Sequence, residues 1–564
     1  MNPRVAVNTE PDSRQDIAPG IRERGGISRD SIVENWLHDH LNAVALTVVA
    51  AGLGVRVFVA SRSYLNPDEA LHYLLINQPS AFLAYKASLT NAHPPLLYLL
   101  LYCWHFLGRS ELMLRLPSVF AGTALCWVAF KWIGIVFGRT AGLIGLILVA
   151  FSPALVTLSA EVREYALLLF CMGAALYFLE LAFQEKSVRG MWYFSAFLYL
   201  AILSHYSALF FALAIGLYSL ARIIEAQLSR KVVVAWACGQ AGALAIYGFL
   251  YVTHVSKLKD YITRWAMPFG QFYFHPGSGD LVTFTREQTA NIFLFLFGGH
   301  YISLAMLLLF VASAGFLVIG ELLSRRGHAP SGHAGILLLL PFIAVWGAAI
   351  AGIYPYVGSR HTVFLAPFAI AAASFLLAAV CRQKLWAGLL IAALLSGASN
   401  ASGKTFEEGI TKENQSRTLM IAAVNHMQQS IPRGDIILVD YQSSLPLAYY
   451  LCGPRNIPAD MFHGDLAKFS CNGYSIVTLR IWKLIAGNFS PQFEQMAHTY
   501  GLKSGDRVWV FQAGWGDNVG KELPGHFAKF RCLIPKDFGR NITVIPFVVG
   551  PDLLPAAPLT NCGR

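Results

Sequence analysis

Charge is what this sequence has least of. Only 13% of its 564 residues are Asp, Glu, Lys or Arg, where soluble domains carry about 25%. With 55% hydrophobic residues and a mean hydropathy of +0.50, much of the surface cannot face water. Other absences narrow the function. There is no Gly-x4-Gly-Lys-Ser/Thr loop, which removes the P-loop ATPases. No Gly-x-Ser-x-Gly elbow stands at a strand–helix junction, and no histidine pair has metalloprotease spacing. Charges are scarce in the middle of the apolar runs, which argues against a proton-coupled transporter. Internal repeats and low-complexity tracts are also missing.

What is present is a series of long apolar runs. They lie near 42–60, 116–137, 141–159, 165–184, 191–204, 207–221, 232–253, 290–322, 334–353, 362–380 and 384–397, each close to the roughly 20 residues that cross a bilayer. A shorter run spans 94–107 and is too short to be expected to cross alone. The pattern predicts an α-helical polytopic membrane protein of about 11–13 transmembrane helices, occupying residues 41–398. The net charge of +11 reads as the positive-inside signal rather than as nucleic-acid binding. Arg139, Lys186 with Arg189, Arg222 with Arg230 and Lys231, Arg325 with Arg326, and Arg382 with Lys384 recur at alternate junctions. They place those ends in the cytoplasm together with a flexible tail over 1–40. The segments 61–93, 160–164, 205, 254–289, 354–361 and everything after 398 then face outward. Residues 399–564 change character, with strand-length runs at Asp435–Asp440, Tyr474–Leu479 and Arg507–Phe511 and helical stretches at 412–430 and 491–501. They predict a soluble outer α/β domain. Its Cys452, Cys471, Cys532 and Cys562 allow disulfides on that side in any of three pairings.

Three outward features carry candidate chemistry. The first is Asn66-Pro67-Asp68-Glu69-Ala70-Leu71-His72, followed by His93-Pro94-Pro95-Leu96. A carboxylate there can serve as general base toward a hydroxyl or amine or hold a metal; the same two acids also suit the first turn of a helix begun by Pro67. The second is Glu161-Val162-Arg163-Glu164-Tyr165. Its arginine offers a bidentate fork for phosphate, or closes a helix end on a neighbouring glutamate. The third is Ser359-Arg360-His361, a cation suited to an anionic lipid headgroup or simply snorkelling to the interface. Isolated histidines such as His72, His93, His205 and His361 are more often packing residues than ligands.

In this order and on one side of the membrane, these features resemble the GT-C membrane glycosyltransferases. The nearest likeness is to family 39, which groups protein O-mannosyltransferases, the lipid A aminoarabinose transferase and the rhizobial lipid A galacturonosyltransferases. The acid pair Asp68-Glu69, the His93-Pro94 helix start, Arg163-Glu164-Tyr165, Arg360-His361 ahead of Pro367, and Leu203-Ser204-His205-Tyr206-Ser207 carry the resemblance across residues 40–400. It implies a catalytic core with the GT-C fold and an outer cavity for a polyprenyl-phosphate sugar. By position it makes Asp68 the base and Glu69 a supporting carboxylate. Arg163, Arg360 and His93 then face the donor phosphate, and His72, Tyr165 and His361 line the substrate cavity. His93 stands where some relatives carry lysine, and a neutral imidazole binds phosphate less well. Such an enzyme needs no nucleotide cofactor, which agrees with the missing nucleotide motifs. The family is mixed in its use of metal, so a divalent ion stays open.

The expectation is a glycosyltransferase of the bacterial inner membrane, its N terminus cytoplasmic and its C-terminal domain periplasmic. Its donor is a polyprenyl-phosphate sugar and its acceptor lipid A, another glycolipid, a polysaccharide or a protein. Membrane lipids are partners and nucleic acid is not. The alternatives are a lipid or solute transporter, which calls for discontinuous helices and polar residues at the midplane, and a non-enzymatic envelope assembly protein. The motifs identify neither sugar nor acceptor, because that choice lies in cavity shape.

Overall fold

A computed structural model describes residues 29–225, 228–258, 272–277, 279–323, 332–381, 384–401, 416–457, 466–479, 486–514, 536–539, 541–551 and 555–556. Residues 1–28 of the expected tail, Arg325, Arg326, Arg382, Cys532 and Cys562 lie outside them. Among the described residues seven helices are long and apolar enough to cross a membrane, up to eight if a bent pair counts as one span. Three shorter apolar helices, Val188–Ser204, Ala208–Ile224 and Leu385–Ala401, accompany them. Two differences from the sequence reading have local causes. The run 290–322 is two helices, Leu281–Phe297 and His300–Leu323. They are divided at Gly298 and Gly299, whose φ values of 63° and 51° leave the right-handed helical region at little cost only for glycine. Residues 29–39 of the expected flexible tail form a helix, α1 (Arg29–Asp39).

The bundle opens with α2 (Leu41–Arg62). Three short helices follow before the next span: α3 (Pro67–Ile76), α4 (Ala81–Ser88) and α5 (Leu96–Trp104). Helix α5 has nine residues, about 14 Å at 1.5 Å each, half the roughly 30 Å hydrocarbon thickness. The short run 94–107 therefore stays at one end of the bundle, and the whole of 63–110 is a single connection. Span α6 (Glu111–Phe137) returns to the opposite end, where α7 (Arg139–Phe151) starts. Helix α7 breaks into α8 (Pro153–Ser159) with a bend of 58°. The cause is Pro153, which has no N–H to give the carbonyl four residues back, that of Val149. The Arg56 guanidinium in α2 takes over that task. Its Nη2 donates to the Val149 carbonyl at 3.2 Å and its Nη1 to that of Ala150 at 2.9 Å. Arg56 is fully buried. In a dry interior an orphaned carbonyl is costly, so it needs such an internal partner.

Span α9 (Tyr165–Glu185), α10 (Val188–Ser204), α11 (Ala208–Glu225) and α12 (Arg230–Leu250) follow. The junctions bearing Arg139, Lys186 with Arg189, and Arg230 with Lys231 all lie at the end opposite 63–110. After the last membrane helix the described residues of the C-terminal domain form a sheet from β1 (Ile436–Val439), β2 (Leu466–Cys471), β3 (Tyr474–Leu479), β4 (Arg507–Gln512), β5 (Lys536–Asp537), β6 (Thr543–Val549) and β7 (Pro555–Ala556), in the order β2-β3-β1-β4-β6-β5 with β7 beside β6. Its centre is β1 (Ile436–Val439), parallel to β3 (Tyr474–Leu479) and β4 (Arg507–Gln512). Four consecutive buried apolar residues in β1 fit a strand covered on both faces. The helical stretches expected at 412–430 and 491–501 are Arg417–Ser430 and Ala486–Tyr500. Cys452 and Cys471 form a disulfide.

This domain is fastened to the 63–110 end. The Tyr450 hydroxyl donates to Glu111 Oε1 at 3.1 Å and accepts from the Leu65 N–H at 2.9 Å. Arg417 pairs with the same Glu111 oxygen at 2.7 Å, and the Tyr73 hydroxyl donates to the Pro454 carbonyl at 2.7 Å.

Arg56→Met is expected to lower the unfolding temperature of the detergent-purified protein. Two carbonyls lose their donor at about 1–3 kcal/mol each. An unchanged thermal transition would show that the break does not need Arg56.

Candidate functional site

Helix α3 begins with a built-in lock. The Asn66 side chain accepts from the Glu69 N–H at 2.9 Å, and Glu69 Oε2 accepts from the Asn66 N–H at 3.1 Å. This capping box, with Pro67 at the first position, fixes the helix start. Glu69 does more than cap. Arg115 of α6 donates to its two oxygens at 2.7 and 2.6 Å, and the Val162 N–H reaches Oε1 at 2.8 Å. The rest of the Arg115 fork donates to the carbonyls of Ala60, Ser63 and Tyr64. Both side chains have 0% exposure. Glu69 thus joins the end of α2, the start of α3, α6 and the 160–164 connection.

Asp68, one position earlier, points elsewhere. Its Oδ2 lies 3.1 Å from Arg163 Nη1 and 2.8 Å from Arg360 Nη1. The Asp68 side chain is 17% exposed and that of Arg360 32%, so this pair reaches the rim of the cavity. Burial alone would raise the Asp68 pKa, but the guanidiniums of Arg360 and Arg163 outweigh it and hold the carboxyl well below its usual range. Arg360 is placed by Gly358, which rests on the Asn291 backbone so closely that a Cβ would come within 2.1 Å of the carbonyl oxygen. The Arg163 carbonyl accepts from the Ser118 hydroxyl at 3.1 Å. Its guanidinium lies over the Tyr165 ring at 5.4 Å.

Behind this pair sits a second group. Glu164 is buried, with Oε2 3.3 Å from His72 Nε2 and Oε1 3.2 Å from His93 Nδ1. Arg163 Nη2 approaches Oε1 at 3.8 Å. Burial pushes the Glu164 carboxyl up, and the surrounding His93, Arg163 and His72 bring it well below its usual range. Burial holds His93 well below the ordinary imidazole value against the pull of Glu164, and lowers His205 to about 4. The rings run on as a chain, His72 to His93 at 6.1 Å, His93 to His205 at 5.4 Å and His205 to Tyr165 at 5.2 Å. His361 neighbours this group through Tyr354, whose hydroxyl donates to the His361 carbonyl at 3.0 Å.

His93, Glu164 and His205 bring one ligand atom each within 4.8 Å of one another. His93 Nδ1 and Glu164 Oε1 are buried without a hydrogen-bond partner. Two neutral imidazoles and a carboxylate are the donor set of many divalent-metal sites, so these three residues fit such an ion.

The structure gathers Asp68, Arg163, Arg360, His93, His72, Tyr165 and His361 at one end of the bundle. Glu69 belongs to the same end but faces Arg115 rather than the cavity. The sequence reading did not single out Glu164 as a centre, although it quoted it beside Arg163. Arg115, 46 residues from its partner, gave no local signal.

Comparisons with known proteins bear on the fold. Residues 92–251 match the family model described as dolichyl-phosphate-mannose-protein mannosyltransferase, a stretch holding His93, Arg163, Glu164, Tyr165 and His205. Among solved structures, ArnT from Cupriavidus metallidurans bound to undecaprenyl phosphate is similar with a TM-score of 0.50 at 13% identity, over 89% of this chain and 97% of that one. The Archaeoglobus fulgidus oligosaccharyltransferase tethered with an acceptor peptide gives 0.45 at 13% identity, over 74% and 64%; this chain therefore spans under two thirds of it. The S. cerevisiae Pmt1-Pmt2 complex bound to its sugar donor gives 0.31 at 16% identity, over 39% and 34%. No curated relative matches. The chain has the GT-C glycosyltransferase fold.

Glu69→Gln is expected to destabilise the protein by about 3–5 kcal/mol, because it leaves Arg115 charged, buried and unpaired. A Glu69→Gln/Arg115→Met double variant should recover part of that loss. Thermal unfolding of the three proteins in detergent reads the cycle, and strictly additive losses would show that the pair is not coupled.

Proposed function

We propose that this protein is a glycosyltransferase that moves a sugar from a polyprenyl-phosphate donor to an envelope acceptor, with Asp68 as the general base. The observation that carries the reading is the bridging of Asp68 by Arg163 and Arg360 at the cavity rim. The GT-C fold and the family match over 92–251 support the class.

In this reading the acceptor hydroxyl or amine attacks the anomeric carbon. The bond from that carbon to the phosphate oxygen breaks, the polyprenyl phosphate leaves with the electron pair, and Asp68 takes the acceptor's proton. Arg163 and Arg360 face the charge that grows on the leaving phosphate. The resting geometry raises a difficulty, since a carboxylate clamped by two guanidiniums is a poor base. The donor itself resolves it. Phosphate offers the same arginines more oxygens and bidentate bonding. As the guanidiniums turn to the phosphate, the Asp68 carboxylate is relieved of their field and its proton affinity rises. The ion pairs of the resting site thus hold the place of the donor phosphate. His72 supports this end: it donates from Nδ1 to the Asp68 carbonyl at 2.7 Å and so fixes the helix turn that carries the base. His361 and Tyr165 are assigned to the cavity lining.

His93, Glu164 and His205 would hold a divalent ion beside the same phosphate, where it would supply additional positive charge. His93 then acts as a ligand rather than a direct phosphate binder. The acceptor is assigned to the class of lipid A, other glycolipids or envelope polysaccharides, with protein as the runner-up. The reaction is assigned to the periplasmic face of a bacterial inner membrane. Two observations support that side. The Cys452–Cys471 disulfide lies in the domain fastened over the site, and disulfides persist in oxidising compartments. The basic junctions lie at the opposite end.

Purified protein in nanodiscs is expected to transfer label from a polyprenyl-phosphate sugar to envelope lipid and not from nucleotide sugars. Asp68→Asn should lower that transfer roughly 10²–10⁴-fold with its gel-filtration profile intact. Full activity in the variant would remove Asp68 from the base role, and no transfer from any polyprenyl donor would remove the class. Zn²⁺ at about 100 times its Kd is expected to add about 2.7 kcal/mol of stability, seen as a higher unfolding temperature. The rise should be absent in His205→Ala, and an equal rise in both proteins would show that the ion binds elsewhere.

A further inference from the structure

We propose that the end of the bundle away from Asp68 binds a phosphate group, carried by an anionic membrane phospholipid or free in solution. A cavity of about 480 Å³ lies there among α1, the first turn of α2, the last turns of α6 and the start of α7, within the size range of ligand sites. Lys131, Arg139, His38 and His40 line it, and Asp39 is the one carboxylate among the lining residues. The Lys131 ammonium sits 4.7 Å over the Trp127 ring and 5.3 Å over that of Phe130. Neither Lys131 nor Arg139 forms an ion pair among the described residues.

Two helices begin at this cavity, α2 after His40 and α7 after Gly138, and neither start has a side-chain cap. Helices α1 and α6 end beside these two starts, so the helix dipoles largely cancel and the positive field of the cavity comes from the two cations. Asp39 offsets only part of that charge. Helix α1 presents Trp36 and Val33 outward, 53% and 46% exposed, as a helix lying in a membrane interface does. A phospholipid headgroup thus reaches the cavity sideways from the bilayer, where clustered basic residues select anionic lipids. None of this depends on the glycosyl-transfer reading, because no residue here touches the Asp68 end.

Native mass spectrometry of the full chain tests the site. The protein is titrated with phosphatidylglycerol, with phosphatidylcholine of the same chains as the control and inorganic phosphate as competitor. Phosphatidylglycerol is expected to be retained preferentially. A Lys131→Gln/Arg139→Gln double variant should lose that first adduct by roughly tenfold or more, with sugar transfer unchanged. Retention that survives millimolar inorganic phosphate identifies the lipid as the source. Displacement by phosphate in wild type, absent in the double variant, identifies the free ion. Equal phosphatidylglycerol adducts in wild type and double variant would overturn the proposal, as would no preference over phosphatidylcholine together with no phosphate binding. Should the double variant not fold, Lys131→Gln and Lys131→Arg carry the same test, with loss expected in the first and retention in the second. Equal retention in both would again overturn it.

Discussion

Glu69 and Arg115 meet fully buried, and each oxygen of the carboxylate answers a nitrogen of the fork. A buried pair of this kind contributes little net stability, because the cost of removing both charges from water is close to the attraction gained. Its effect is on arrangement. The remaining Arg115 donors go to three carbonyls at the end of α2. The remaining capacity of Glu69 goes to the backbone of Asn66 and Val162. Once the pair forms, the positions of α3 and the 160–164 connection follow, and with them Asp68 and Arg163. The pair thus ties together residues that are distant in sequence.

The two acids of the motif differ only in where the helix aims them. Residues one apart on a helix are about 100° apart around its axis, so the two carboxylates aim at different surroundings. Glu69 takes the inward direction and loses any chance of meeting substrate. Asp68 takes the rim. There its charge is balanced by two arginines that come from separate connections, Arg163 before α9 and Arg360 far along the chain, and both are the residue type that binds phosphate well. A site balanced in this way is stable when empty and has a reason to rearrange when an anion enters.

Much of this was legible in the sequence, for reasons that can be named. The membrane helices follow from run length and the scarcity of charge, and the start of α3 follows from Asn66-Pro67 with Glu69 three positions after the cap. The sidedness of Asp68, Arg163 and Arg360 follows from the alternation of basic junctions. What was not legible depends on contacts across the chain. Isolated histidines at 72, 93 and 205 read as packing residues one at a time. They become a cluster only because separate helices begin or end at the same level. The ion pair of Glu69 with Arg115 has no local mark, since Arg115 reads as an ordinary charge near a helix start. Hydropathy also passed over Gly298-Gly299, because two glycines barely change the average of an apolar window while they end a helix.

The placement of the chemistry follows from the solvent. In hydrocarbon every backbone group needs an internal partner, so a helix can be broken only where something replaces the lost bonds. The chain breaks α7 from α8 at Pro153, and Arg56 supplies the missing donors from a neighbouring span. The 160–164 connection follows directly on α8, and its Arg163 and Glu164 meet Asp68 and His72 of α3. The buried arginine in α2 and the rim acid in α3 thus stand at the two ends of one arrangement: one charge is committed inside the membrane and another lies at its edge.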